Sequence, residues 1–226
     1  MSEEIKYAYL KSHPLFINTG EQTIMEACSL VKVKTVFRGE TFNYGEGSYS
    51  KMYLLIRGKI KITECDMLDN ELIKDILTAP DLFGDLGLAG TPSLDEFAEA
   101  LTANTVVCVF NSAEFKKMLR ENPTIALNYA EAVNNKLKKL ENRHSDLVFR
   151  DAKSRLIRFM KNWAQSDGSR LGDKIILNNY LTHSDIAGVI STSRQSVNVL
   201  LNELRNSGML FYDRKRIELN TSMVWS

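Results

Sequence analysis

The sequence predicts an α+β chain in which a β-rich N-terminal half and a mixed C-terminal domain flank one long helix. Three observations predict it. Short apolar segments separated by glycine-bearing turns recur from residue 30 to residue 111. That pattern belongs to sandwiches and barrels. Residues 123–149 contain no glycine, and no proline after Pro123. Finally, Thr182 with Asp185 opens one helix and Ser193 a second, and a hairpin follows them.

At 226 residues, two domains are expected. The net charge of +1 does not by itself announce a nucleic-acid partner, so the local distribution of charge has to carry that argument. No apolar stretch reaches the ~18 residues of a membrane span, and MSEEIKYAYLK at the start lacks a signal-peptide core. A cytoplasmic protein without a membrane partner is expected. Cys28, Cys65 and Cys108 are scattered, with no C-x-x-C. They read as small core residues, and no metal or iron–sulfur site is predicted. No nucleophile with a nearby base and no phosphate loop stands out, so an enzyme is not expected.

Residues 21–29 have helical period, with Ile24, Met25 and Cys28 on one side. From Leu30 the period is two: Val31, Val33, Thr35 and Phe37 alternate with Lys32, Lys34 and Val36, which predicts a strand with one buried face. Arg38-Gly39-Glu40 and Gly45-Glu46-Gly47 read as turns. Met52–Ile56 is an apolar strand closed by Arg57-Gly58-Lys59, and Ile60 and Ile62 alternate with lysines after it. Asp69-Asn70 marks a hairpin tip, Pro80-Asp81 and Gly84 break the chain, and Val106, Val107, Val109 and Phe110 form a last strand. The half reads as a double-stranded β-helix, or jelly roll. Ser112 can cap a short helix through Leu119 that turns Phe115, Met118 and Leu119 inward.

Pro123 suits a first helical position. Beyond it Ala126, Ala130, Val133, Leu137, Leu140, His144 and Leu147 recur at spacings of four and three, a heptad seam suited to pairing with another helix. Such a helix, about 40 Å long, either packs along its own domain or zips two chains into a homodimer. The domain boundary is placed near 150, giving domains 1–150 and 151–226. Asp151 caps the next helix, 152–166, whose apolar side is Leu156, Ile157, Phe159, Met160 and Trp163.

In the last domain Ser166-Asp167-Gly168-Ser169 reads as a loop and Lys174–Leu177 as a strand. Thr182 and Asp185 form a capping box. Ser191-Thr192 turn the chain, Ser193 caps a second helix and Gly208 closes it. Ala187, Ser191 and Val197 keep the spacing of a helix-turn-helix. Residues 209–219 complete a winged hairpin. Such a domain binds DNA, or is a small helical domain that binds protein. On the second helix Arg194, Gln195 and Asn198 match base edges. Ser193, Ser196, Arg205, Arg214, Lys215 and Arg216 are expected phosphate contacts.

The succession Arg38-Gly39-Glu40, Gly45-Glu46, Tyr53–Ile60 and Asp81-Leu82-Phe83-Gly84-Asp85-Leu86, with the helix-turn-helix, resembles the Crp/Fnr transcription regulators. The resemblance implies a sensor domain of the cyclic-nucleotide-binding type, a dimer helix and a winged helix-turn-helix. The implied partners are double-stranded DNA on a near-palindromic operator, a second copy of the chain and RNA polymerase. It places an effector pocket around Phe83, Gly84, Asp85, Leu86, Phe97, Lys136 and Leu140. Cyclic-nucleotide binders carry Arg-Ser/Thr-Ala after this segment; this chain has Ser93-Leu94-Asp95-Glu96-Phe97-Ala98. Asp95 and Glu96 would repel a phosphate, or simply sit in a solvated loop. The residues therefore argue against cyclic AMP, and the effector is either another small molecule or absent, the pocket being filled by side chains. His13 is expected at the surface rather than as a haem ligand. The family commonly has Glu where this chain has Gln195 and a second Arg where it has Val199, so a different half-site is expected.

Overall fold

The computed structural model describes residues 2–43, 50–65, 67, 71–88 and 95–225. The turn expected at 45–47, the hairpin tip at 69–70, and Ser93 and Leu94 lie outside them. The chain divides into two compact units, Met1–Lys139 and Leu140–Ser226. The division falls inside the long helix, before the boundary expected near 150.

In the first unit, helices α1 (Glu3–Ser12) and α2 (Glu21–Leu30) precede eight strands. These are β1 (Lys32–Val36), β2 (Thr41–Asn43), β3 (Lys51–Arg57), β4 (Lys59–Cys65), β5 (Glu71–Thr78), β6 (Asp81–Gly84), β7 (Glu96–Ala100) and β8 (Thr105–Asn111). They form two antiparallel sheets, β1-β8-β3-β6 and β2-β7-β4-β5, the expected jelly roll. Helices α3 (Ser112–Glu121) and α4 (Pro123–Phe149) follow.

The central strands of the first sheet, β3 and β8, are buried on both faces. Met52, Leu54, Leu82, Cys108 and Phe110 pack against the helices, while Tyr53, Leu55, Phe83 and Val107 point between the sheets. Successive side chains on a strand face opposite ways. A strand covered on both sides must therefore read as a continuous apolar run, and MYLLI and VVCVF do. The second sheet is covered on one face only. Ile60, Ile62, Ala98 and Ala100 join the inter-sheet core, and Lys61 pairs at 2.7 Å with Glu99, its cross-strand neighbour.

Several expectations change. β1 does not keep one buried face: Val33 packs on the helix side, Val36 enters the inter-sheet core, and Phe37 is exposed. The ladder to β8 is unbroken, so odd positions face the helix side and even positions the inter-sheet side, and each face buries an apolar residue. Met25 is exposed although Ile24 and Cys28 are buried. Asp81–Gly84 is not a break but the strand β6, paired with β3. Glu96–Ala100 is a strand too, hidden from the sequence by alanines and glutamates of low β propensity. The cap of α3 is Asn111, whose side chain accepts from the Ala113 and Glu114 N–H groups, not Ser112.

Cys28 and Cys108 are buried, and burial pushes the Cys108 thiol up to about 12. His13, expected at the surface, is 4% exposed. Its Nδ1 accepts from Leu15 N–H at 3.2 Å and its Nε2 lies 3.4 Å from the Asp81 carbonyl, so the ring closes the turn Pro14–Phe16 onto the start of β6. The neutral ring with the proton on Nε2 satisfies both contacts. Burial lowers its pKa, against the smaller raising effect of Asp81.

The folded state therefore refuses a proton that the unfolded chain accepts near the ordinary value of 6.5. Stability at pH 7–8 is fully present and falls as pH drops below about 6.5 toward the lowered value. Urea unfolding of His13→Gln should show a flatter dependence between pH 7.5 and 5 than the wild-type chain.

Candidate nucleic-acid interface and sensor pocket

In the second unit α5 (Ala152–Asp167) is capped by Asp151, whose carboxylate accepts from Ser154 N–H at 2.8 Å. Strands β9 (Ser169–Leu171), β10 (Lys174–Asn178), β11 (Leu210–Tyr212) and β12 (Arg216–Asn220) form one antiparallel sheet in the order β11-β12-β10-β9. The expected hairpin is thus half of a four-stranded sheet, and residue 169, read as loop, begins β9.

Helix α6 (His183–Val189) starts in the expected capping box. Thr182 Oγ1 accepts from Asp185 N–H at 3.1 Å and Asp185 Oδ2 accepts from Thr182 N–H at 2.8 Å. Ser191 takes φ 54°, a left-handed turn that a residue other than glycine adopts at some cost. Helix α7 (Arg194–Asn206) is capped by Ser193, whose Oγ accepts from Ser196 N–H at 3.0 Å. Gly208, at φ 72°, ends it. Val197, Leu201 and Leu204 are buried and fix the rotation of α7 about its axis.

That rotation leaves Arg194, Gln195 and Asn198 exposed on the first turns of the helix. The positions expected at phosphates differ among themselves. Ser193 and Ser196 share a hydrogen bond of 2.9 Å at the helix N-terminus. Arg205 lies over the Tyr212 ring at 5.9 Å. The tip of the wing is held by Asp213, whose carboxylate accepts from the Lys215 and Arg216 N–H groups, so Arg214 and Lys215 project from a fixed turn. Arg216 is drawn back along β12 by Glu218 at 3.1 Å, and Glu218 also takes Lys174 at 2.8 Å.

One residue escaped the sequence reading. Arg155, on α5, donates Nε–H to Ile190 O at 2.8 Å, Nη1–H to Arg150 O at 2.7 Å and Nη2–H to Ser191 O at 3.1 Å. It ties the turn between α6 and α7 to the end of α4. Asp146 reinforces the same junction through Arg150 at 2.8 Å and Arg158 at 3.1 Å. Nothing local in the sequence marks Arg155, because two of its partners lie 35 and 36 residues away.

In the first unit, the residues expected around an effector are largely engaged. Phe83 stacks on Tyr53 at 4.8 Å inside the inter-sheet core. Gly84, at φ 91°, turns so closely that an added Cβ would lie 2.5 Å from Lys51 O. Asp85 accepts from Ser50 Oγ at 2.9 Å, and the Leu86 carbonyl accepts from the Tyr129 hydroxyl. Phe97 alternates with Ala98 and Ala100 along β7, so it falls on the face opposite the inter-sheet core. Leu140 is exposed.

The ionic groups are paired. Lys136 Nζ sits 2.8 Å from Asp81, with Lys139 at 3.9 Å from the same carboxylate. Burial raises the pKa of nearby Asp75, partly offset by Lys136. Glu96 is not in a solvated loop: Lys74 lies 2.8 Å from it and 2.8 Å from Glu64, its neighbour across the ladder. Two carboxylates on one ammonium leave net negative charge, which opposes a bound phosphate. Among the described residues no group of three or more His, Cys, Asp or Glu is placed to hold a metal ion. No helix among them is long and apolar enough to cross a membrane.

Comparison with known proteins agrees with this geometry. Residues 34–122 match the cyclic nucleotide-binding domain family and residues 154–221 the Crp-like helix-turn-helix domain family. The chain is 27% identical to the global nitrogen regulator of Synechococcus elongatus over 83% of its own length and 85% of that protein. It is 25% identical to the CRP-like cAMP-activated global transcriptional regulator of Mycobacterium tuberculosis, over 82% of each chain. Its fold matches a CooA mutant from Carboxydothermus hydrogenoformans at a TM-score of 0.73 and 22% identity, covering 96% of this chain and 95% of that one.

Replacing Arg155 by Ala removes two charge-assisted hydrogen bonds from the α6–α7 turn and a third from the Arg150 carbonyl. The expected loss is about 1–3 kcal/mol of stability in the C-terminal unit. Urea unfolding followed by the fluorescence of Trp163, which is buried in that unit, measures it.

Proposed function

We propose, for a chain that belongs to the Crp/Fnr family of transcription regulators, that it binds a near-palindromic operator as a homodimer. The observation that carries this reading is α7, an anchored, N-capped helix with Arg194, Gln195 and Asn198 exposed on its first turns. Arg194 reads a guanine through O6 and N7. Gln195 accepts pairs that an acidic side chain would reject in favour of cytosine. Ser193, Ser196, Arg205 and the wing residues Arg214, Lys215 and Arg216 meet phosphates, which set register without reading sequence.

The dimer forms through α4, along Ala126, Ala130, Val133, Leu137, Leu140, His144 and Leu147. Leu137 and Leu140 are 53% and 63% exposed in the single chain, which supports a seam completed by a second copy. Two recognition helices then meet successive major grooves about 34 Å apart. The domains of this reading are a sensor, 1–150, and a DNA-binding domain, 151–226. RNA polymerase is the proposed protein partner, the site of action is the cytoplasm, and the function is regulatory rather than enzymatic.

Two sensor mechanisms follow. In the first, an effector other than cyclic AMP shifts the population between two arrangements of the helices. The second is a regulator that needs no ligand. It is favoured by Lys136, which is taken by Asp81, and by Glu64 and Glu96, which share Lys74.

Selection of operators from random duplexes should yield a two-fold consensus, and Arg194→Ala should weaken binding to it by about 1–3 kcal/mol. Equal binding by the variant would refute the assignment. In sedimentation, the double variant Leu137→Glu, Leu140→Glu should run as a folded monomer that keeps its helical circular-dichroism signal, with a lower thermal midpoint because the stabilisation by association is lost. A dimer that survives those charges would rule out this seam.

A further inference from the structure

We infer that Val199 is a specificity-determining residue that reads the 5-methyl group of a thymine in the major groove. This rests on the reading of α7 as a recognition helix.

Gln195, Asn198, Val199 and Asn202 are spaced i, i+3, i+4 and i+7, which puts them on one stripe of α7. The buried residues Val197, Leu201 and Leu204 occupy the other side of the helix. Within α7, Val199 is the large apolar side chain left exposed, at 55%. A β-branched residue is a poorer helix former than Ala or Lys, so a solvent-facing turn gains nothing from valine. Its polar neighbour is withdrawn, since Asn202 Nδ2 donates back to Asn198 O at 2.9 Å within the helix. The face that carries Gln195 therefore continues into an apolar contact rather than a further donor.

Valine has no hydrogen-bonding group, so it cannot read a donor or acceptor. The thymine methyl is the apolar feature that base edges display in the major groove. Val199 holds its methyl groups at a nearly fixed χ1, one turn beyond Gln195. Its target is the pair next to the one that Gln195 meets.

The test uses the full chain and a duplex selected by the wild-type protein. Thymine is replaced by uracil, which lacks the methyl, at one pair at a time in both half-sites. The wild-type chain should lose about fourfold in affinity per half-site at one position, the worth of burying a single methyl group. Val199→Ala should keep its thermal midpoint and bind the thymine and uracil duplexes equally at that position. Arg194→Ala should still tell them apart. A wild-type chain indifferent to uracil at every position would overturn the inference while leaving the operator reading intact, as would Val199→Ala with unchanged discrimination. If the wild-type chain selects no consensus, the operator reading fails, and this inference with it.

Discussion

A 27-residue helix is asked to serve two faces at once, and the architecture follows from how α4 does so. Ile125, Tyr129 and Ala132 pack into the helix-side core, and Asn128 donates to the carbonyls of Leu15 and Ile17. Lys136 continues that stripe to Asp81. The heptad seam runs beside it, one residue out of phase, from Ala126 through Leu137. A helix of 3.6 residues per turn has room for both stripes, because neighbours in sequence are about 100° apart. Packing along its own unit and offering a seam are thus compatible, where the sequence alone posed them as alternatives.

The two sheets of the first unit obey a second constraint. Strands β3 and β8, squeezed between helices and the other sheet, have no polar face and give up alternation. The other sheet faces water on one side and keeps it, with Lys61 and Glu99 answering each other across the ladder. Charges on the roll are engaged with one another: Lys74 bridges Glu64 and Glu96 near the surface, and the more enclosed Lys136 pairs with Asp81. A carboxylate or ammonium left alone where Lys136 and Asp81 sit would be costly, and pairing offsets that cost.

In the C-terminal unit, precision at α7 comes from outside α7. The buried leucines set its rotation, Ser193 sets its start, and the Ser191 turn sets its angle. That turn is strained at φ 54° and is held from behind by the Arg155 guanidinium. The same guanidinium takes the Arg150 carbonyl at the end of α4. The end of α4 and the turn before α7 are joined by one planar, permanently charged group, whose fork of donors suits several carbonyls at once.

What the sequence determined by itself were the features written in local chemistry. The α4 limits, the capping box at Thr182 and Asp185, the Ser193 cap, the closing Gly208 and the exposed first turns of α7 all depend on neighbours within a turn or two. The strands β6 and β7, the buried His13 and the clamp of Arg155 were decided by tertiary structure. DLFG and EFAEA have weak strand signals and become strands because β3, β2 and β4 offer them ladders. His13 is buried because Leu15 and Asp81 together supply both partners of a neutral ring. Contacts between residues tens of positions apart leave no periodicity along the chain, and only folding brings them within reach.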